Sequence, residues 1–325
     1  MNKVKDFLGA DWKKVGEYIK ESLKSDIELL DFTNDSILSH SGKQLRPLMA
    51  ILSARACNSG CCSDASYRFA AASELLHNAT LLHDDVADNS DRRRGAPTVL
   101  SLLGAQASVL VGDYWLVKAV KLVLDSDDEA KTIKAVKAFS ATLCALAEGE
   151  MLQLQKANKC DTTEADYLKI IYNKTASLFE TSMKTAAVSV GASQTYEDAV
   201  CRYAVALGMA FQIKDDILDY APSCDIGKPT GVDITERKIT LPLLGAIRNS
   251  EDGEAIRELI CTIDENPDVR EQVIEFVRAN NGVEYAHNCL NRYIDEALDA
   301  LDVLPDSQEK SYLIKLAHFV GERTL

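Results

Sequence analysis

Proline, long apolar runs and strand patterns are all scarce in this sequence. Only 7 of its 325 residues are proline, and none lies between Pro97 and Pro222. Because proline interrupts helices, this gap favours long helices. No apolar run approaches the roughly 18 residues of a membrane-spanning helix. Apolar and polar residues rarely alternate strictly, and no Asn-Gly pair is flanked by β-branched runs, so the sequence does not indicate β-hairpins.

Basic residues are fewer than acidic ones, which limits the classes of partner. The formal net charge is −14, which argues against general binding to nucleic acids or anionic membranes but is compatible with local basic pockets. The nine cysteines are mostly scattered, and Cys57, Cys61 and Cys62 lack the paired spacing of a zinc site. An odd number of cysteines without a secretory leader predicts a reducing compartment, and hence the cytoplasm.

Helical periodicity is the abundant signal. Apolar residues recur every three or four positions, as in Ile133, Val136, Phe139, Leu143 and Leu146, and this spacing is typical of amphipathic helices. Short polar breaks separate ten or more such segments, without a clear linker or a repeat of 20 to 50 residues. The N-terminal segment has no continuous apolar stretch and is also predicted as an amphipathic helix. We therefore predict an all-α fold forming one domain over residues 1–325.

Two identical acidic motifs follow strongly apolar helical segments. The spacing D-D-x-x-D occurs in "DDVAD" at residues 84–88 and again in "DDILD" at residues 215–219. On a helix the first and last aspartates of each motif share one face, where like charges repel. Acids near a helix C-terminus also oppose the macrodipole. Mg²⁺ would offset both effects and share its coordination with phosphate oxygens.

Basic residues follow or accompany these motifs. Arginine binds phosphate oxygens in a bidentate manner, and lysine acts as a mobile point charge. The sequence thus predicts diphosphates held between Mg²⁺ and cationic side chains. The residues concerned are Lys43 and Arg46 in "GKQLRP", Arg93 and Arg94 after the first motif, Lys174 with Thr175 in "YNKTASLFE", and Lys228 and Lys238 after the second motif.

Seven motifs resemble, in order, the signature of the trans-isoprenyl diphosphate synthases, the polyprenyl synthetase family. They are "GKQLRP", "LLHDDVADNSDRRRGAPT", "VGDYWL", "EGEMLQL", "YNKTASLFE", "FQIKDDILDY" and "GKPTGVDITERKITLPLL". They run from about residue 40 to residue 245, and "FVGERTL" near the end is similar to the family as well. The resemblance implies an all-α isoprenoid synthase-like fold around a deep central cavity, with the two aspartate motifs facing each other, and a homodimer.

The resemblance also implies roles for individual residues. Three Mg²⁺ ions are expected to bridge an allylic diphosphate to Asp84, Asp88 and Asp215, with Asp219, Asp85 and Asp216 close by as ligands or through water. The allylic diphosphate is expected to contact Arg93, Lys174, Gln212 and Lys228, with Lys238 nearby. Isopentenyl diphosphate, which binds without metal, is expected at Lys43, Arg46, His77 and Arg94. Thr175 and Gln212 are expected to stabilise a carbocation through their dipoles.

The implied reaction is Mg²⁺-dependent, head-to-tail prenyl transfer. Mg²⁺ and the cations stabilise departing pyrophosphate, which leaves an allylic carbocation. The isopentenyl double bond attacks C1, and loss of one proton, expected to go to pyrophosphate, regenerates an allylic diphosphate. Water would quench the cation, so a closed, dry site is expected. Peripheral membrane contact without a transmembrane segment is expected during product release.

Product length is predicted from the residues that precede the first motif. In the family, aromatic side chains four or five places before the first aspartate block the cavity and give short products. Here these places hold Thr80 and Ala79, so we predict an all-trans product longer than C20, in the C30 to C50 class.

Several alternatives are compatible with parts of the sequence. A shorter-chain farnesyl or geranylgeranyl synthase of the same family is one, and a terpene cyclase is another. The Glu-x-x-His pairs Glu74–His77 and Glu284–His287 fit a di-iron helical bundle. His83 beside an aspartate pair is similar to a His-Asp metal phosphohydrolase. A non-enzymatic helical scaffold is the remaining class.

Overall fold

The computed structural model describes residues 1–221, 231–266 and 268–323, and most of them are helical. The α-helices are α1 (Asn2–Leu8), α2 (Ala10–Ser22), α3 (Glu28–Ser39), α4 (Leu45–Cys57), α5 (Asp64–Ala87), α6 (Val99–Leu103), α7 (Ala105–Leu124), α8 (Glu129–Lys159), α9 (Glu164–Ile171), α10 (Ser177–Ser189), α11 (Gln194–Leu218), α12 (Val232–Thr235), α13 (Leu241–Arg248), α14 (Gly253–Cys261), α15 (Val269–Ala279), α16 (Gly282–Ala300) and α17 (Gln308–Glu322). A π-helix (Tyr172–Ala176) joins α9 to α10, and the strands β1 (Arg92–Arg93) and β2 (Ala96–Pro97) form a small antiparallel hairpin. The all-α prediction is confirmed.

The chain divides into two compact units, each built from three segments. The first unit comprises Met1–Ser140, Thr181–Cys201 and Val303–Leu313, and the second comprises Ala141–Glu180, Arg202–Asp302 and Ile314–Leu325. Each unit therefore depends on contacts between distant parts of the sequence. The expectation of a single domain over residues 1–325 stays a prediction.

Helix α5 is the buried centre of the first unit. It begins at a capping box, in which Ser63 and Ser66 exchange side-chain and backbone hydrogen bonds and satisfy N–H groups that the first turn leaves open. No glycine or proline interrupts it, and Phe69 and Leu75 are fully buried within it. Burial of a large apolar side chain stabilises the fold by about 1.5–3 kcal/mol. The helix thus brings the first aspartate motif to its C-terminal end on a rigid element.

Helix α7 packs closely against α5 beside that motif. A Cβ atom on Gly112 would lie 2.4 Å from Nε2 of His83, so a larger residue there would force the His83 ring to move. Farther along α7, Trp115 is fully buried and donates a hydrogen bond of 2.8 Å to the Asn34 side chain. Gly112 and Trp115 of "VGDYWL" therefore hold α7 against α5 and α3, respectively.

The π-helix of the second unit lies between two glycines. A Cβ on Gly149 of α8 would approach Cβ of Asn173 to 2.8 Å, and one on Gly208 of α11 would approach Cα of Ala176 to 2.6 Å. π-Helical turns are rare in proteins, and those that occur are often at functional sites. The π-helix over "YNKTA" therefore makes this segment a candidate part of the functional site. Gly149 belongs to "EGEMLQL", so two of the sequence motifs meet at one contact.

Helices α13 and α16 pack equally closely elsewhere in the second unit. A Cβ on Gly282 would lie 2.1 Å from the carbonyl oxygen of Pro242, and one on Gly245 would lie 2.7 Å from Cβ of Tyr285. Among the described helices, none is both long enough and apolar enough to cross a membrane.

Candidate active site

The first aspartate motif lies at the C-terminal end of α5. Asp84 is half-buried, and Asp88 is exposed and caps the helix through its backbone N–H. Asp85 is 4% exposed, and Arg93 donates to its Oδ1 across 2.6 Å. The outer two carboxylates are therefore the accessible ones, while the middle carboxylate holds the following hairpin in place.

The β1–β2 hairpin reverses the chain directly after α5. Arg94 and Gly95 form its turn with φ values of 52° and 81°, which suit glycine and cost an arginine some conformational energy. The reversal returns Arg93 to Asp85. It also sets the Arg94 guanidinium against Gly42, where a Cβ would lie 2.7 Å from Cζ. The sequence predicted a polar break here and missed the hairpin.

Four residues of the first unit form a cluster around one buried carboxylate, here called the Glu74 cluster and consisting of Glu74, Arg46, His77 and Arg94. Glu74 is 3% exposed and accepts a hydrogen bond from the Asn78 amide at 3.2 Å. Burial raises the pKa of Glu74, and the charges of Arg46 and Arg94 oppose that rise. Burial lowers the pKa of Arg46 to about 10. Burial and the neighbouring arginines hold the pKa of His77 well below 6.5, so this imidazole is neutral at pH 7.

The two residues expected to control product length lie one turn beyond this cluster on α5. Ala79 is 1% exposed, and Thr80 is half-buried with its hydroxyl donating to the His77 carbonyl at 2.8 Å. Both are small, and the nearest aromatic residue earlier on the helix is the fully buried Phe69.

The middle aspartate of the second motif is held by neutral groups. Asp216 is 4% exposed, and it accepts hydrogen bonds from the Tyr167 hydroxyl at 2.6 Å and from the Gln212 amide at 2.9 Å. Burial raises the pKa of Asp216, and the two hydrogen bonds act against that rise. The environment of Asp216 therefore differs from that of Asp85, which pairs with an arginine.

The outer aspartates of the second motif are also engaged. Oδ1 of Asp215 lies 2.9 Å from the guanidinium of Arg323, which also donates to the Phe211 carbonyl at 2.7 Å. The two carboxylate oxygens of Asp219 accept the backbone N–H groups of Val232 and Asp233 at 3.2 and 3.1 Å. Asp219 thus caps the short helix α12, as N-terminal carboxylates commonly do.

A pocket of about 120 Å³ in the second unit gathers several of the predicted residues. Its polar wall combines carboxylates, amides and lysines, and its apolar wall comes from α9 and neighbouring segments. Burial and the charges of Asp216 and Asp219 raise the pKa of Asp233, and Lys238 opposes the rise. The lining residues are Gln153, Ala157, Thr162, Tyr167, Ile170, Ile171, Lys174, Gln212, Asp216, Asp233, Lys238, Ile239 and Thr240.

The π-helix delivers Lys174 and Thr175 to this region. The ammonium of Lys174 lies 2.8 Å from Glu150 and 3.0 Å from the Gln153 side chain. The Thr175 hydroxyl donates to the side-chain oxygen Oε1 of Gln212 at 2.7 Å. Since the side-chain amide of Gln212 in turn donates to Asp216, Thr175, Gln212 and Asp216 form one continuous hydrogen-bond chain.

The remaining basic residues are placed as follows. Lys43 is exposed at the start of α4. Lys238 forms an ion pair with Glu236 and lines the pocket. Lys228 lies outside the described residues.

Sequence reasoning missed several groups that hold the site together. Tyr167 and Arg323 bind aspartates of the second motif, Asp233 faces the pocket, and Glu150 orients Lys174. Three of them stand in stretches already noted as motifs: Glu150 in "EGEMLQL", Asp233 in "GKPTGVDITERKITLPLL" and Arg323 in "FVGERTL". Tyr167 carried no local signal, because only the packing of α9 against α11 brings it to Asp216.

The carboxylate oxygens of the first motif suit a Mg²⁺ ion that also binds water and substrate phosphates. Within residues 1–221, 231–266 and 268–323, no group of three or more His, Cys, Asp or Glu side chains is arranged to hold a metal ion. Asp84 and Asp88 nevertheless offer accessible hard oxygen donors one helical turn apart. Mg²⁺ usually takes only one or two protein carboxylates and completes its shell with water and substrate phosphates. The surroundings of Glu74 and His77 are cationic, which is the opposite of a di-iron carboxylate site.

Comparison with known proteins agrees with this geometry. Residues 27–277 match the model of the family described as "Polyprenyl synthetase". The chain is 38% identical to an all-trans-nonaprenyl-diphosphate synthase (geranyl-diphosphate specific) of Rhodobacter capsulatus, over 97% of this chain and 96% of that protein.

Solved structures are similar over their full length. A decaprenyl diphosphate synthase of Rhodobacter capsulatus matches with a TM-score of 0.92 at 33% identity, covering 100% of this chain and 99% of that one. A polyprenyl synthase of Caulobacter crescentus, complexed with calcium and isoprenyl diphosphate, matches with a TM-score of 0.90 at 33% identity, covering 100% and 98%. The predictions of an isoprenoid synthase-type fold, of prenyltransferase activity and of a long-chain product are confirmed. This chain therefore belongs to the polyprenyl synthetase family.

Proposed function

We propose that this protein adds isopentenyl diphosphate units to an allylic diphosphate in a Mg²⁺-dependent reaction. The pocket of the second unit carries the proposal, because it combines lysines suited to phosphate with carboxylates and an ordered amide. The combination suits an anionic leaving group on one side and a developing cation on the other. The C30 to C50 class remains our proposed product range.

We propose Asp84, Asp88 and Asp215 as the residues that hold Mg²⁺ together with the substrate diphosphate. The ion would draw negative charge from the diphosphate oxygens and so ease cleavage of the C1–O bond. Asp219 remains a candidate ligand through its unused lone pairs, although its hydrogen bonds to α12 favour a role in positioning Asp233. The number of three ions stays a prediction.

The chain's own residues supply the rest of the leaving-group site. We assign Lys174 and Arg93 to the allylic diphosphate, with Lys238 and Lys228 as further cations. To reach a diphosphate, Lys174 must exchange its ion pair with Glu150 for phosphate oxygens. This exchange retains a charge-assisted hydrogen bond, which limits its cost.

Thr175 and Gln212 suit the stabilisation of an allylic cation. The amide oxygen of Gln212 is fixed by the Thr175 hydroxyl at 2.7 Å, while its amide nitrogen is fixed by Asp216 at 2.9 Å. A dipole held from both ends needs no reorientation when charge develops. The proton lost after coupling would go to the released pyrophosphate.

The Glu74 cluster suits the second substrate. Arg46 and Arg94 provide guanidinium groups for the diphosphate of isopentenyl diphosphate, His77 provides a neutral hydrogen-bond partner, and Lys43 stands exposed beside them. The two guanidinium groups can balance the charge of a diphosphate, so we propose that it binds there without metal.

The small residues on α5 are the basis for the proposed chain length. A growing prenyl chain can pass Ala79 and Thr80 more easily than an aromatic side chain. We expect Ala79→Tyr to shift products sharply towards shorter chains, because the phenol ring would occupy space used by the growing chain. Reversed-phase separation of the dephosphorylated products measures the shift, and Thr80→Ser is the matched control. An unchanged distribution would contradict this position of the cavity floor.

We also propose that the protein acts as a homodimer. Helix α7 exposes Leu110 (59%), Val117 (64%) and Leu124 (57%) at seven-residue intervals, so these side chains share one face of the helix. An exposed apolar stripe of this kind marks an interaction surface, and molar mass by light scattering tests the dimer. Peripheral membrane contact for product release and a cytoplasmic location remain proposals, and the free cysteines are in keeping with a reducing compartment.

The decisive experiment is incubation of the protein with Mg²⁺, isopentenyl diphosphate and farnesyl diphosphate. We expect stoichiometric release of pyrophosphate and all-trans products longer than C20. Omission of isopentenyl diphosphate separates elongation from cyclisation, because a terpene cyclase would release pyrophosphate from the allylic substrate alone.

A further inference from the structure

Lys5 of the N-terminal helix lies beside the Glu74 cluster. Its ammonium donates to the side-chain oxygen of Gln44 at 3.4 Å and lies 4.8 Å from the centre of the Trp12 ring. Gln44 belongs to "GKQLRP" and precedes α4, the helix that carries Arg46. Lys5 is therefore held between a cation–π contact and the segment that begins the proposed isopentenyl diphosphate site.

The position of Lys5 is fixed by a folded element. Helix α1 buries Val4 (7% exposed) and Leu8 (2% exposed), and Gly9, with φ of 50°, turns the chain into α2. Phe7 packs against Tyr312, with ring centres 4.9 Å apart. Because both ends of α1 are anchored, the ammonium is presented at a defined place and little side-chain freedom is left to be lost on binding a ligand.

Three cationic side chains lie near Glu74. Its carboxylate acts electrostatically on Lys5, Arg46 and Arg94 together. No ion pair joins Lys5 to a carboxylate within 4.0 Å in the part of the chain that the structure describes. Burial lowers the pKa of Lys5, and the Glu74 charge opposes that change. A site that gathers three cationic side chains is suited to a ligand that carries several negative charges.

We propose that Lys5 binds the diphosphate of isopentenyl diphosphate, which makes the N-terminal helix part of the substrate site. The inference rests on the proposed assignment of this substrate to the Glu74 cluster. Glu74 then holds the cations near one another in the free protein, and the diphosphate binds to them through its own negative charges.

The test compares Lys5→Met, Lys5→Arg and the control Lys3→Met in steady-state kinetics. Methionine keeps most of the apolar stem over Trp12 and removes the charge, and Lys3 is an exposed lysine on the same helix. Loss of one charge-assisted contact to phosphate should raise KM for isopentenyl diphosphate by about tenfold. The KM for the allylic diphosphate should stay unchanged, Lys5→Arg should recover most of the affinity, and Lys3→Met should resemble the wild type.

Direct binding separates ligand contact from a structural role of α1. Isothermal titration with isopentenyl diphosphate, without metal, should show the same weakening for Lys5→Met at an unchanged melting temperature. Arg94→Gln is included in parallel because it tests the underlying site. If Arg94→Gln weakens binding and Lys5→Met does not, the role of Lys5 is wrong and the site stands. If neither variant weakens binding, the assignment of isopentenyl diphosphate to this cluster is itself wrong.

Discussion

The two aspartate motifs have the same five-residue spacing but very different surroundings. In the first, the middle residue Asp85 pairs with a charged arginine, and Asp88 extends into solvent. In the second, Asp216 is buried and accepts hydrogen bonds from the Tyr167 hydroxyl and the Gln212 amide. The outer aspartates are bound as well, Asp215 by Arg323 and Asp219 by backbone N–H groups of α12. The same five-residue spacing thus lies beside an arginine and solvent in one place and within a hydrogen-bond network in the other. A motif identifies the donor atoms, whereas their availability depends on what packs around them.

The largest expected difference between the motifs concerns loss of a carboxylate charge. Asp84→Asn should lower kcat by about 1,000-fold, because the Mg²⁺ that we propose at this carboxylate would contribute several kcal/mol to the transition state. Asp219→Asn is the matched variant in the second motif, and we expect only about a tenfold loss, since its oxygens mainly accept N–H groups of α12. Pyrophosphate release at saturating substrate measures both variants. Equal losses would show that the two outer positions are equivalent, and that the different surroundings of the two motifs do not change their contribution to catalysis.

Stability should respond most strongly in the second motif. Tyr167→Phe removes a hydrogen bond to a buried carboxylate, so the free energy of unfolding should fall by about 1.5–3 kcal/mol. Arg93→Gln is the counterpart for Asp85, and the expected loss is smaller, about 1 kcal/mol, because the Arg93 side chain is 35% exposed and solvent screens the pair. Urea unfolding at pH 7 gives both values. A larger loss in Arg93→Gln would mean that the hairpin stabilises the first unit more than the phenol stabilises the second.

The smallest expected effect is on the pH dependence of stability, which tests the protonation state of His77. The fold holds the pKa of His77 well below 6.5, so only the unfolded state takes up a proton as pH falls past that value. The contribution of His77 to stability is therefore complete above pH 6.5 and is lost at lower pH, by about 1.4 kcal/mol per pH unit at most. His77→Gln should flatten the stability curve between pH 7 and pH 5.5, measured as the difference from the wild type at each pH. Parallel curves would contradict the neutral state of this imidazole.

Much of the architecture could be read from local patterns. The long interval without proline and the regular apolar spacing predicted helices, and the chain is almost wholly helical. The positions of both motifs at the ends of apolar helices were also predicted, because periodicity and the end of an apolar run are local properties. The β1–β2 hairpin was missed, since its turn is held by Asp85 and Arg93 and not by a strong pattern of its own. The π-helix was missed for a similar reason, because the close contacts at this segment are with Gly149 of α8 and Gly208 of α11, which belong to other helices.

The sequence by itself determined the chemical groups of this protein: an all-helical chain, two sets of carboxylates, and arginine and lysine residues of a kind suited to diphosphates. Only the tertiary structure decided how each of these groups is used. Tyr167 and Arg323 bind aspartates far from them in sequence, and Glu74 gathers cations from three separate helices or loops. The reason is physical, since charge and hydrogen-bonding capacity belong to the residue type, whereas burial, partners and pKa depend on side chains that the fold brings close from distant positions.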